Sequence, residues 1–181
     1  MTIDTFEDLP RVIAHEAGHA VVAWASPTIP APVAVRFWPL EGEAHVQLAS
    51  MPTSRLPTVY LEFAAVYLGG FAGETAAYGD FQKLLQGDFG NALEIAKLVR
   101  LLDKLPKRRR TTPFRTRLPW GLHAGMKQFL CDAFELALRR VETHRETFER
   151  VRGHLSRGYC VDGRVEFLAD ELSAWLGPRP I

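Results

Sequence analysis

The sequence predicts a mostly helical α+β fold in which a small two-stranded β element interrupts a series of helices, the last of them forming a C-terminal bundle. Three observations carry this expectation. Long segments place apolar residues at helical spacing, clean alternation is confined to residues 33–50, and 181 residues suit one domain, because single cores keep growing to about 250 residues. With 47% hydrophobic and 24% charged residues, the composition is that of a globular protein and not of a disordered one. A single domain over residues 1–181 is expected.

The first helix is expected over Leu9 to Ser26, where Val12, Ile13, Val21, Val22 and Trp24 recur at helical spacing until Pro27 and Pro30 stop it. Val33, Val35 and Phe37 then alternate with Ala34, Arg36 and Trp38, and Ala44, Val46 and Leu48 alternate with His45 and Gln47 across a turn at Gly42; this is the two-stranded element. A second helix runs from Pro57 to about Ala77, with Pro57 well placed as an early helical residue. Its interior carries Gly69-Gly70, each costing about 1 kcal/mol relative to alanine, which implies close backbone packing against another element, with Gly18 of the first helix the expected partner. A third helix starts near Asp88 and ends at Pro106. Lys107 to Pro119 has two prolines and no periodicity, so it reads as an exposed basic loop. A long amphipathic helix covers Met126 to about Leu155, with Glu146 and Arg150 four apart in the favourable order, and a last short helix covers Val165 to Leu176.

Several classes of function are disfavoured at this level. A net charge of +1, from 22 basic against 21 acidic residues, supplies no global field toward nucleic acid or anionic lipid. Cys131 and Cys160 lack the paired spacing of a structural zinc site and are too few for a disulfide framework. The most apolar stretch, Phe63 to Gly73, is uncharged for only 11 residues, where a membrane span needs about 20. Residues 1–8 lack the basic start and apolar run of a secretory signal, and a cytoplasmic protein is expected.

Residues 15–19 read HEAGH. On a helix, His15 and His19 lie one turn apart on one face and can bind one zinc ion, the HEXXH pattern of zincin-like metallopeptidases. Glu16 is then not a ligand. It stands beside the water that zinc acidifies from 15.7 to about 7, ready to take its proton and deliver it to a leaving amine. The surrounding VIAHEAGHAVVAW is otherwise apolar, and three polar residues buried there without a partner such as a metal would be costly. A catalytic zinc normally has three protein ligands and one open position. Asp88, Glu74, Asp80, His45 and His123 are all candidates for the third, and spacing alone does not choose among them. An aspartate at a helix start is more commonly an N-cap, which is the plain alternative for Asp88.

RVIAHEAGHAVVAW resembles the zinc helix of the FtsH-type AAA zinc metalloprotease family, and VYLGGFAGETAAYGD is similar to that family's following GG-x-A-x-E-x-x-x-x-G segment. QGDFGNALEIAKLV resembles the stretch in which an aspartate four residues before an alanine completes the zinc site, and VAVRFWPLEGEAHV resembles the family's strand and turn. The resemblance covers nearly the whole chain and implies a stand-alone peptidase domain with Zn²⁺ held by His15, His19 and Asp88. Glu74 becomes a carboxylate that orients a ligating histidine, or the second choice of ligand. Leu40-Glu41 departs from the family's turn motif after Pro39, the Lys107 to Arg117 loop is unusual, and the ATPase module and membrane segments are absent. The substrate implied is therefore a flexible or unfolded polypeptide; a folded one would need to open by itself or through a separate unfoldase partner. Peptidases of this resemblance bind extended peptides beside a strand, so Val33 to Trp38 or Ala44 to Ser50 is the expected edge.

The alternative is a non-catalytic module that keeps the peptidase fold and contacts protein or nucleic acid through the basic loop 104–117. Lys104, Lys107, Arg108, Arg109, Arg110, Arg115 and Arg117 would serve phosphates if clustered on one face, but such runs are more often solvated loops, and nucleic acid is not an expected partner. The four tryptophans read as core or rim packing, and His144 and His154 as surface residues.

Overall fold

The computed structural model describes residues 9–38, 43–48, 56–81, 86–101, 113–162 and 165–180. Helix α1 (Leu9–Trp24) leads into strands β1 (Pro32–Trp38) and β2 (Glu43–Leu48), followed by helices α2 (Pro57–Tyr67), α3 (Gly69–Tyr78) and α4 (Gln86–Leu101). Then come α5 (Pro113–Arg117), α6 (Ala124–Thr143), α7 (Arg145–Asp162), strand β3 (Val165–Leu168) and α8 (Ala169–Leu176). The expected mostly helical α+β architecture is present.

Helix α1 is the axis of the molecule. Every residue from Val12 to Trp24 is buried, as befits a helix packed on all sides; α3, α7 and α6 surround it, and β1 and β2 lie against it as well. The closest approach is to α3, and it is made by glycines. A Cβ on Gly18 would collide with the carbonyl of Gly69, and one on Gly73 with the carbonyl of Ala14. The expected close packing of Gly18 on Gly69 is therefore present, and Gly73 shares it, while Gly70 faces the His15 ring; the close approach explains why helices α1 and α3 carry Gly18 and Gly73 inside them despite their cost.

Three expectations about element boundaries are corrected. The helix expected from Pro57 to Ala77 is two helices, broken at Leu68 (φ −89°, ψ 0°), which lets the glycine-bearing half lie along α1. The long helix from Met126 is likewise broken at His144 (φ −107°, ψ 38°), whose ring stands edge-on to Trp24 at 5.0 Å. Near this break the i,i+4 ion pair is Arg145–Glu149 at 3.0 Å, while Arg150 donates to Thr147. Third, Val165–Leu168 is a strand. It pairs antiparallel with β1, with Val35 opposite Phe167 and Arg36 opposite Glu166, and the Arg36 Nε to Glu166 Oε1 contact is 2.7 Å. The sheet is thus three-stranded, in the order β2-β1-β3, and β1 is internal.

The segment expected as a basic loop contains a helix: Pro113 opens the short α5, whose Phe114 is buried and stacks on Phe134 at 4.3 Å. Arg117 lies over the Phe81 ring at 5.2 Å. Lys104 to Arg110, Pro106 and the turn at Gly42 lie outside the described residues. Trp24 is core and Trp175 is partly buried, stacked on His154, but Trp120 is 98% exposed and is neither core nor rim. Among the described residues no helix is long and apolar enough to cross a membrane.

The glycine contact makes a prediction of opposite signs. Gly18→Ala is expected to destabilise the protein by about 1–3 kcal/mol through overpacking against backbone. Gly90→Ala in α4, where a Cβ meets nothing within 4 Å, is expected to stabilise it by about 0.5–1 kcal/mol; denaturant unfolding of both variants checks the pair.

Candidate metal centre

Three elements far apart in sequence converge on one face of α1. His15 and His19 come from the buried helix, Glu74 from the middle of α3, and Asp88 from the first turn of α4. Because α4 begins at Gln86, Asp88 lies inside the helix and is not its N-cap. Its carboxylate points at the histidines, with Oδ2 3.0 Å from His15 Nε2 and 3.4 Å from His19 Nε2.

The other ring nitrogens are both occupied. His15 Nδ1 donates to Glu74 Oε1 at 2.7 Å, and His19 Nδ1 donates to the Val66 carbonyl at 2.7 Å. A carbonyl can only accept, so His19 Nδ1 must carry the proton, and the carboxylate of Glu74 imposes the same on His15. In the neutral rings both Nε2 lone pairs are therefore bare and aimed at the Asp88 oxygen. This is the tautomer a metal requires, fixed by outer partners.

His15, His19 and Asp88 bring their ligand atoms within 4.8 Å of one another. Ligand atoms in a tetrahedral array at about 2.0–2.1 Å from a cation stand roughly 3.3 Å apart, and the contacts of 3.0 and 3.4 Å bracket that spacing. The group could hold a metal ion. Glu16 gives an independent sign of fit. It is 3% exposed, and its Oε2 has no hydrogen-bond partner, a costly state for a buried carboxylate unless something polar occupies the space in front of it.

Of the five candidates for the third ligand, the structure brings Asp88 to both histidines and Glu74 to the outer nitrogen of His15, where it orients and does not ligate. The other three lie elsewhere. Asp80 accepts from Arg11, His45 is exposed on β2, and His123 caps α6 by accepting the Gly125 N–H at Nδ1. The Val66 carbonyl went unforeseen, since any residue supplies one and nothing in a side-chain pattern marks it. Tyr67, next to it and half-buried, was also missed; burial, and then the charge of Asp88, push its phenol above the ordinary range.

The site is strongly coupled. Burial opposes charge on His15, yet the hydrogen bonds it donates to Asp88 and Glu74 prevail and raise it from 6.5 to about 10. Burial likewise opposes charge on His19, but Asp88 raises it. Asp88, despite burial that works the other way, is held well below the usual carboxylate range by His19 and His15. Glu16 is pushed up by burial, against the pull of both histidines. In the metal-free protein, then, protons stand where a cation would bind.

The sequence matches no family model and no curated protein.

With a folded value near 10 above the ordinary 6.5, His15 contributes stability that is complete below pH 6.5 and is lost as pH rises through about 10. The metal-free protein should lose thermal stability from pH 7 to 10, a slope that Asp88→Asn flattens, and binding of a divalent cation at pH 7 should release at least about one proton, measurable by calorimetry in buffers of different ionisation enthalpy. A Cβ on Gly70 would run into the His15 ring at Nε2, Cδ2 and Cε1, so Gly70→Ala should displace that ligand and abolish stoichiometric metal binding, as read by elemental analysis.

Proposed function

We propose that this chain is a zinc metalloendopeptidase like the FtsH-type peptidase domains its sequence resembles, acting on flexible or unfolded polypeptides. The observation that carries the reading is the buried Glu16 carboxylate, its Oε2 without a hydrogen-bond partner, next in sequence to His15 of the convergent donors His15, His19 and Asp88. Two imidazoles and one carboxylate favour zinc over the hard cations that prefer all-oxygen shells.

Bound zinc would supply a Lewis acid and a water acidified to about pKa 7. The remaining work falls to side chains of this chain. His15 and His19 would hold the ion through Nε2 and Asp88 through a carboxylate oxygen, while Glu74 and the Val66 carbonyl keep both rings in the required tautomer. Glu16, held in a dry setting that raises its proton affinity, takes a proton from water and returns it to the leaving amine. A base of this kind works best when its pKa is drawn toward the working pH. Wild-type burial of α1 keeps bulk water from competing for the same carboxylate.

Substrate binding is assigned to β2. Because β1 lies between β2 and β3, its backbone is already paired, and of the two strands considered at the outset only Glu43–Leu48 is at an edge. It packs beside α1, so an extended peptide added there would run alongside the helix that carries the metal ligands. An edge strand of this kind accepts a backbone, which a folded protein does not present, hence the flexible or unfolded substrate and the role left open for a separate unfoldase.

Zinc-reconstituted protein is expected to cleave a fluorescently labelled, permanently unfolded protein. Glu16→Gln should retain its zinc and lose about 10²–10⁴ in rate, the usual size of general base catalysis, whereas Asp88→Ala should lose the zinc itself. A wild type that binds zinc tightly and cleaves no member of a broad unfolded-peptide panel would replace this reading with the non-catalytic binding module.

A further inference from the structure

The contact between α1 and α3 extends beyond the metal ligands. Residues one turn apart along α1 meet residues one turn apart, in reverse order, along α3. Gly18 meets Gly69, His15 meets Gly70 and Glu74, and Arg11 meets Glu74 and Tyr78. Arg11 is the outermost step. Its Nη1 stands 3.9 Å from Glu74 Oε2 and donates to Asp80 Oδ1 at 3.1 Å. Its guanidinium lies 4.7 Å above the Tyr78 ring, and the side chain is only 26% exposed.

We propose that Arg11 is a positioning residue for the metal centre, an outer cation that holds Glu74 in the orientation in which its other oxygen accepts from His15 Nδ1. The inference rests on the metal-centre reading above. At 3.9 Å the Arg11–Glu74 contact is an ion pair and not a hydrogen bond, so it acts through charge at a carboxylate that is only 7% exposed and weakly screened. The ring of Tyr78 and the carboxylate of Asp80 restrict the guanidinium itself, so its charge is delivered to one place. Glu74 then aims His15, whose Nε2 must meet the same point as His19 Nε2 and Asp88. Removing the Arg11 charge leaves the folded core intact and loosens the aim of one ligand.

The test uses the full chain and zinc itself as the probe. Arg11→Met keeps the length and the apolar contact with Tyr78 but removes the charge. The measurements are the zinc Kd at pH 7, by competition with a chromophoric chelator, and the unfolding midpoint of each metal-free protein. Outer partners of a ligating histidine are typically worth 10–100-fold in affinity, so Glu74→Gln is expected in that range and the more remote Arg11→Met at about 3–10-fold. Arg11→Lys should recover most of the loss because it restores the charge, and Arg11→Met should cost nothing further in a Glu74→Gln background.

An unchanged Kd in Arg11→Met, with or without a lower unfolding midpoint, would make Arg11 merely structural and overturn the inference. So would an undiminished loss in the Glu74→Gln background. Should Arg11→Met not fold, Arg11→Gln carries the same comparison. If the wild type binds no zinc, the metal-centre reading fails and takes this inference with it; if the wild type binds and Arg11→Met binds equally, only the role of Arg11 falls.

Discussion

Two histidines and a glutamate stand on a helix that is buried all round from Val12 to Trp24, and the rest of the structure is arranged around that constraint. A polar side chain buried without partners costs several kcal/mol, so α1 can occupy the centre of the protein only if its neighbours satisfy His15, Glu16 and His19. Three neighbours do so for the histidines: Glu74, the Val66 carbonyl and, for both Nε2 atoms, Asp88, while Gly70 leaves room for the His15 ring. Glu16 is the one left with an oxygen unmatched. This asymmetry, two satisfied imidazoles beside a buried carboxylate oxygen with no hydrogen-bond partner, is what supports the proposed hydrolytic reading.

The glycines and the breaks in the helices belong to the same arrangement. For Glu74 to reach His15 Nδ1, α3 must approach α1 almost backbone to backbone, which the Gly18, Gly69 and Gly73 contacts allow. The interruption at Leu68 separates this close-packed helix from α2, whose Val66 carbonyl turns to His19. Helix α4 then packs on α2 and α6 through Phe89, Ala92, Ala96 and Val99, and its first turn delivers Asp88, where the positive end of the helix dipole also favours a carboxylate. Away from the centre, the buried Glu62 carboxylate ties Ser26 at the end of α1 to Arg140 of α6. Arg179 donates to the Trp24 and Ala23 carbonyls at the C-terminal end of α1, so the helix that carries the site is held at its far end too.

Periodicity and short motifs were enough to place the long helical segments, the β1–β2 pair, the HEAGH face and the need for tight glycine packing, because each of these is encoded within a few consecutive residues; the short helix α5 fell in an expected loop. The expectation that Asp88 completes the donor set came from resemblance and not from spacing, and the geometry around its Oδ2 supports it. What local pattern did not reveal was set by contacts between distant segments. Val165–Leu168 carries apolar residues that fit a helical period as well as a strand, and only pairing with Val35 and Arg36, 130 residues away for the Arg36–Glu166 pair, makes it the third strand. The breaks at Leu68 and His144 lie in sequences with unbroken apolar periodicity, so their positions follow from packing against α1. The choice of Asp88 and Glu74 over Asp80, His45 and His123, the tautomers of both histidines and the place of Arg11 behind Glu74 likewise depend on which side chains meet across helices. The sequence by itself determined which groups could do chemistry; the tertiary structure decided which of them share a point in space, because a ligand set is a relation between distances, and distances between remote segments exist only once the core has packed.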